Sequence, residues 1–223
     1  MYPFTRQLIE YMSYDENKKL GMLILDVKGN YYKEVCEYAE LSGREDDLII
    51  LDLSGNIKYN PLHKPNLKPA IIANRIKTIL TLFSPNNSES YWLDKVESLL
   101  AESIKLCRLY NNGYVTFVEI HKLINDYDYY KEKITYLRTL FHEDNFDTYG
   151  VHDLLSAITF FEKEFFSLDS RVLSILKSEV NRITLTFISD YDILNIFSPP
   201  KEDLNFTGFT DLVNSRENTS IKY

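Results

Sequence analysis

Gly21-Met-Leu-Ile-Leu-Asp-Val-Lys-Gly29 is the stretch on which the reading of the whole chain turns. An apolar run from Met22 to Leu25 stops abruptly on Asp26, Lys28 and Gly29. A run this short, bounded by a charged turn, reads as a buried strand rather than an amphipathic helix. In an open α/β sheet, ligands bind beyond the ends of such strands. Asp26 and Lys28 are therefore candidate functional residues, near where phosphates or a neighbouring subunit would lie, and Lys28 could pair with a carboxylate or touch DNA. The same triplet also reads as a solvated turn, with Gly29 supplying a positive φ.

Working outward, residues 3–14 read as a helix with Phe4, Leu8, Ile9 and Met12 on one face. Residues 31–41 place Tyr32, Val35, Cys36 and Ala39 at helical spacing, and Gly43 follows as a C-terminal cap. A second apolar run, 48–53, completes a β-α-β order, which implies a parallel pair with a right-handed crossover. From Pro69 onward the pattern is helical. Helices are expected from Pro69 through Phe83, over 91–110, from Phe117 to about Asn125, and over 129–141, 149–161 and 167–188, with a short helix or turn over 190–197. Residues 84–88 and 142–148 read as breaks, and Thr116-Phe-Val-Glu119 has the form of a capping box. The predicted fold class is α/β and predominantly helical. Strands near 21–25 and 48–53 belong to residues 1–66, an all-α domain spans 67–200, and 201–223 lead back toward the sheet.

Composition sets bounds on function. A chain of 223 residues with 17 Tyr and 13 Phe can build a real core and is not a disordered tail. A net charge of −8 opposes indiscriminate nucleic-acid binding, although a local basic face remains compatible with it. Cys36 and Cys107 both fall in helical patterns and read as buried free thiols, which fits a reducing compartment. No apolar run reaches the length of a membrane span. No Gly-x-x-x-x-Gly-Lys-Ser/Thr occurs, so the sequence has no P-loop.

Asp26, Lys28 and Gly29, then Asn60-Pro61-Leu62, then Tyr91-Trp92 at the head of a helix follow one another in a recognisable order. In this, the chain resembles the motor domain of TraG/TraD-type type IV secretion coupling proteins, the conjugative DNA-transfer ATPases, most closely over roughly residues 20–110. The resemblance implies a partial RecA-like parallel sheet with a large inserted all-α domain, lacking Walker A and Walker B. It implies an internal part of a motor that is inactive alone, with ATP and Mg²⁺ serving the parent protein and no cofactor in this chain. The partners it implies are single-stranded DNA, a relaxase or other transfer substrate, and copies of itself in a homo-hexamer. The expected location is cytoplasmic, without membrane contact by this segment, the parent protein being anchored to the inner membrane face.

Each singled-out residue has a plainer reading beside the functional one. Asn60, Pro61 and Leu62 read mainly as a structural loop: a turn residue, a fixed φ and an anchor into the core. Trp92 reads as a plug between bundle and sheet, with base stacking as the alternative. Lys131, Lys133 and Arg138 interleave with Tyr127, Tyr129, Tyr130 and Tyr136, a composition suited to phosphate contact and stacking. The plainer reading is a solvated amphipathic helix whose tyrosines cover the core. His63, His121, His142 and His152 lack metal-ligand spacing, and Asp144, Asp147 and Asp153 do not form an EF-hand, so no metal is assigned. Besides the DNA-transfer module, the sequence admits a self-standing helical regulatory or structural partner. An enzyme with its own small-molecule site is the weakest reading, because no catalytic constellation assembles.

Overall fold

Nine α-helices form among the described residues: α1 Tyr2–Glu10, α2 Tyr32–Leu41, α3 Pro69–Leu82, α4 Ser90–Tyr110, α5 Phe117–Asn125, α6 Tyr127–His142, α7 Thr148–Thr159, α8 Ser170–Ile188 and α9 Tyr191–Phe197. The structure is a computed structural model that describes residues 2–54, 56–82, 90–142, 147–206 and 208. Two units make up the chain, Met1–Leu51 and Asp52–Tyr223.

In the first unit α1 packs on α2. The helix α2 ends in a Schellman motif: Arg44 N–H donates to Ala39 O at 2.7 Å and Gly43 N–H to Glu40 O at 3.1 Å. That wrap needs a left-handed residue, and Gly43 supplies it at φ 64°. The Arg44 guanidinium then ties three segments together. It donates to Ile9 O at 3.1 Å, Leu20 O at 2.9 Å and Asp47 Oδ2 at 2.9 Å. Lys19 closes the cluster on Asp47 Oδ1 at 2.8 Å. Burial works to raise the Asp47 pKa, but hydrogen bonds from Lys19 and Arg44 outweigh it and hold the carboxyl below its ordinary value.

The expected parallel pair does not form. Residues 21–26 and 48–52 carry no strand hydrogen bonding, and no strand occurs among the described residues. Burial along the first run nevertheless alternates. Met22, Ile24 and Asp26 are half-buried, whereas Leu23, Leu25 and Val27 are 72%, 79% and 96% exposed. The physical reason is that two short strands are marginal without further neighbours and a covered face.

The second unit is a helical bundle centred on α4, which packs against α3, α5, α6, α7 and α8. Val96, Leu99, Leu100, Ile104 and Cys107 recur at helical spacing and are fully buried. Lys77 of α3 pairs with Asp94 and, at 2.8 Å, with Glu97 of α4. The capping box at α5 is present: Glu119 N–H donates to Thr116 Oγ1 at 3.3 Å, and Thr116 N–H to Glu119 Oε2 at 3.1 Å. Asp126, Asp147, Asp169 and Asp190 each accept backbone amides at the start of α6, α7, α8 and α9. A π-helical turn, Phe160–Phe165, extends α7. It keeps Phe161 and Phe165 inward and buried, Phe161 against Tyr130 and Phe166 and Phe165 against Phe166. Beyond α9 the chain returns to its lead-in segment. Tyr59 and Phe206 form an isolated parallel bridge, Lys58 N–H donates to Asn205 Oδ1 at 2.8 Å, and Phe206 N–H donates to Lys58 O at 3.2 Å. The expected return toward a sheet beyond this point, the break at 84–88 and the middle of the break at 142–148 lie outside the described residues; the ends of the latter, His142 and Thr148, belong to α6 and α7.

Candidate nucleic-acid interface

Asp26 is a turn organiser. Its Oδ1 accepts from Lys28 N–H at 3.2 Å and Gly29 N–H at 2.9 Å; its Oδ2 accepts from Tyr31 N–H at 2.7 Å and Tyr32 N–H at 3.0 Å. Desolvation opposes ionisation here, yet these four amides lower the carboxyl's pKa. Gly29 sits at φ 69°, as the turn demands. The Lys28 side chain is exposed and makes no hydrogen bond or ion pair to a described residue. The motif thus builds the lead-in to α2, and only Lys28 remains free for an outside partner.

Asn60 is 1% exposed and holds the lead-in segment onto the bundle. Its Nδ2 donates to Val115 O at 2.8 Å, and its Oδ1 accepts from Leu62 N–H at 2.9 Å. Leu62, also 1% exposed, anchors the loop in the core. Trp92 is partly buried against the same core, and Tyr91 contributes its backbone to α4.

The basic residues of α6 divide between two flanks. Successive residues turn by 100°, so Tyr127, Lys131 and Arg138 share one flank, while Tyr129, Lys133 and Tyr136 share the other. Tyr130, Ile134 and Leu137 lie between them, facing inward and buried. Tyr130 is therefore a core ring and offers no stacking surface; its phenol, buried, has its pKa pushed up. On the first flank Lys131 Nζ lies 4.6 Å above the ring of Tyr127, which is 48% exposed. Arg138 pairs with Glu162 at 3.1 Å, with both side chains largely in solvent. On the second flank Lys133 Nζ sits 4.8 Å from the Tyr129 ring and 5.5 Å from that of Tyr110, and pairs with Glu132 at 2.9 Å. The hydrogen bond to Glu132, with Tyr129 and Glu119 adding to it and burial opposing, raises the pKa of Lys133. A shallow groove there is lined by Tyr110, Glu132, Lys133, Thr135, Tyr136 and Thr139. The first flank carries a half-exposed ring that packs on Tyr130 and Phe166 with a lysine over it, and an arginine about 10 Å along the helix; its two cations suit phosphate contact. Lys131, Lys133 and Arg138 form one group along the sequence, and only helical phase separates them.

The histidines and acids do not converge. His121 Nδ1 lies 3.1 Å from the buried Thr184 Oγ1, and His152 sits beside Asp153 on the surface. The His142 side chain and Asp144 lie outside the described residues. Among the described residues no three His, Cys, Asp or Glu side chains could share a metal ion. Cys36 and Cys107 are free thiols; burial raises the pKa of Cys107 well above its ordinary value. Among the described residues no helix is long and apolar enough to cross a membrane. No family model, curated protein or solved structure matches the chain.

Proposed function

We propose that this chain is a binding module of a conjugative DNA-transfer motor of the TraG/TraD type, and that its helical unit engages single-stranded DNA or the relaxase-bound transfer substrate. One observation carries the reading. The bundle is closed on itself, with its lead-in and return segments hydrogen-bonded side by side at Lys58–Tyr59 and Asn205–Phe206. That is the geometry a domain needs when it is spliced into another fold. The first apolar run fits the same scheme. Leu23, Leu25 and Val27 stand exposed on alternate positions, as the side chains of a strand would before its sheet neighbours cover them. On this reading the runs become RecA-like strands within the full motor. ATP, Mg²⁺ and the hexameric ring belong to that motor, which works at the cytoplasmic membrane face, and this chain binds and positions without catalysing.

A second reading has its own support. The unpaired state of 21–26 and 48–52 favours a self-standing helical interaction protein, for which the order of motifs would be incidental. Fluorescence anisotropy with labelled single-stranded DNA separates the two. The motor reading expects binding at micromolar protein that Lys131→Gln weakens. Absence of any binding at that concentration, in low salt, supports the second reading.

A further inference from the structure

Charge is laid out along the chain in two successive blocks. Residues 34–52 hold seven acids against one arginine, and residues 53–88 hold five cations and no acid. Each block builds a helix whose charge opposes its own dipole. The last turn of α2 carries Glu40 and no basic residue; the first turn of α3 has no acidic residue and follows directly on Lys68. The reverse placement is the one that steadies a helix. The stability of the single helices therefore gives no reason for these charges.

The helix α3 is apolar on two sides. Ile72, Ala73, Ile76 and Leu80 are buried toward α4. On the outer side Ile71, Ile79 and Leu82 are 43%, 44% and 78% exposed, beside the exposed Arg75. Among the described residues the side chains of Lys68 and Arg75 make no hydrogen bond or ion pair. The acids that α4 presents to α3, Asp94 and Glu97, pair with Lys77. Lys77 stands about 160° round the helix from Arg75, so these acids answer the opposite flank.

The outward side of α2 is the counterpart. Val35 and Ala39 are buried, whereas Glu37 and Glu40 are exposed and Leu41 is 72% exposed. Glu45 and Asp46, also exposed, follow the helix. In this unit Arg6, Lys18, Lys19 and Arg44 pair with Glu10, Asp15, Glu16 and Asp47. Among the described residues Glu37, Glu40, Glu45 and Asp46 pair with no cation. Lys33, the only cation within α2, lies at its other end. The acidic end is therefore left with its charge uncancelled and one bare leucine in its midst.

We propose that the outer face of α3 binds the acidic end of α2 of a second copy of this chain, the two helices lying side by side and antiparallel. The C-terminus of that α2 then lies beside the N-terminus of α3, and each helix end meets both an opposite dipole and an opposite charge. Leu41 covers Ile71, Glu40 approaches Lys68, and Glu37, one turn back, approaches Arg75, one turn on. Each copy offers both faces, so the contact is heterologous and runs head to tail. It needs neither DNA nor the α6 flank and holds under either reading of function.

Two short helix faces fall at the small end of interface sizes, so the expected dissociation constant is ~0.1 mM. Sedimentation equilibrium of the full chain at concentrations around that value should show a mass that rises with concentration, and less steeply in high salt. The double variant Lys68→Glu, Arg75→Glu should weaken association more than about tenfold, and so should Glu37→Lys, Glu40→Lys. All four positions are exposed, so both variants should keep the native helical circular dichroism. An equimolar mixture of the two variants should associate as the native chain does, because each offers the face that the other lacks; unfolded chains could not restore it. A native chain that stays monomeric, or a mixture that stays dissociated, overturns the proposal. Single variants that associate as tightly as the native chain also overturn it, and assign self-association to the bare run 21–27 instead.

Discussion

Asp26 shows how one carboxylate can look functional in sequence and be architectural in space. A short charged side chain before a glycine is what a ligand turn uses, and also what a turn uses to gather its own amides. Four backbone N–H groups converge on it, which leaves little capacity for an outside ligand. Asp26→Ala should therefore raise amide exchange at Gly29, Tyr31 and Tyr32 by about tenfold, while Lys28→Gln should change stability by less than about 0.5 kcal/mol. Hydrogen exchange and urea melts check the pair. His121 gives a pH prediction. Burial lowers its pKa below 6.5, with the Asn181 hydrogen bond opposing. The folded state then resists the proton more than the unfolded chain does, so stability is complete above 6.5 and declines as pH falls through that value toward the folded pKa. His63 acts in the same direction. Urea midpoints measured from about pH 7 to 5.5 should fall in the native chain, and less steeply in His121→Gln.

Among the elements, helices were legible and strands were not. The spacing of Val96, Leu99, Leu100 and Cys107 encodes a buried face within α4 itself, and the Thr116–Glu119 pair and Gly43 announce helix ends by local chemistry. Nothing so local makes a strand: its partners are chain segments elsewhere, and the same apolar run stays unpaired when they are missing. The π-helical turn at Phe160–Phe165 was equally hidden, since two adjacent phenylalanines suit more than one helical phase. Truncating the α4 stripe at Leu100→Ala should cost about 2–5 kcal/mol, whereas Leu82→Ala, on an exposed position of α3, should cost under about 0.5 kcal/mol. In the first unit Arg44→Lys should cost about 2 kcal/mol, because one ammonium cannot replace a fork that reaches Ile9 O, Leu20 O and Asp47 at once. Chemical denaturation measures all three changes.

For the molecule as a whole, the predominantly helical character was readable from the chain, and the sheet expected ahead of the bundle is not formed. The proposed kinship to DNA-transfer motors therefore rests on the order of Asp26-x-Lys28-Gly29, Asn60-Pro61-Leu62 and Trp92, and on the paired lead-in and return of the bundle. Of the candidate interface, composition located α6, but only the fold separates Lys131 and Arg138 from Lys133 and takes Tyr130 into the core. The salt dependence of single-stranded DNA binding tests the central claim most directly. Two phosphate contacts, by Lys131 and Arg138, predict that log K falls against log salt with a slope of about −1.4, and that the Lys131→Gln, Arg138→Gln pair flattens it toward zero. Binding that is absent, or whose slope is the same in the paired variant, would contradict it.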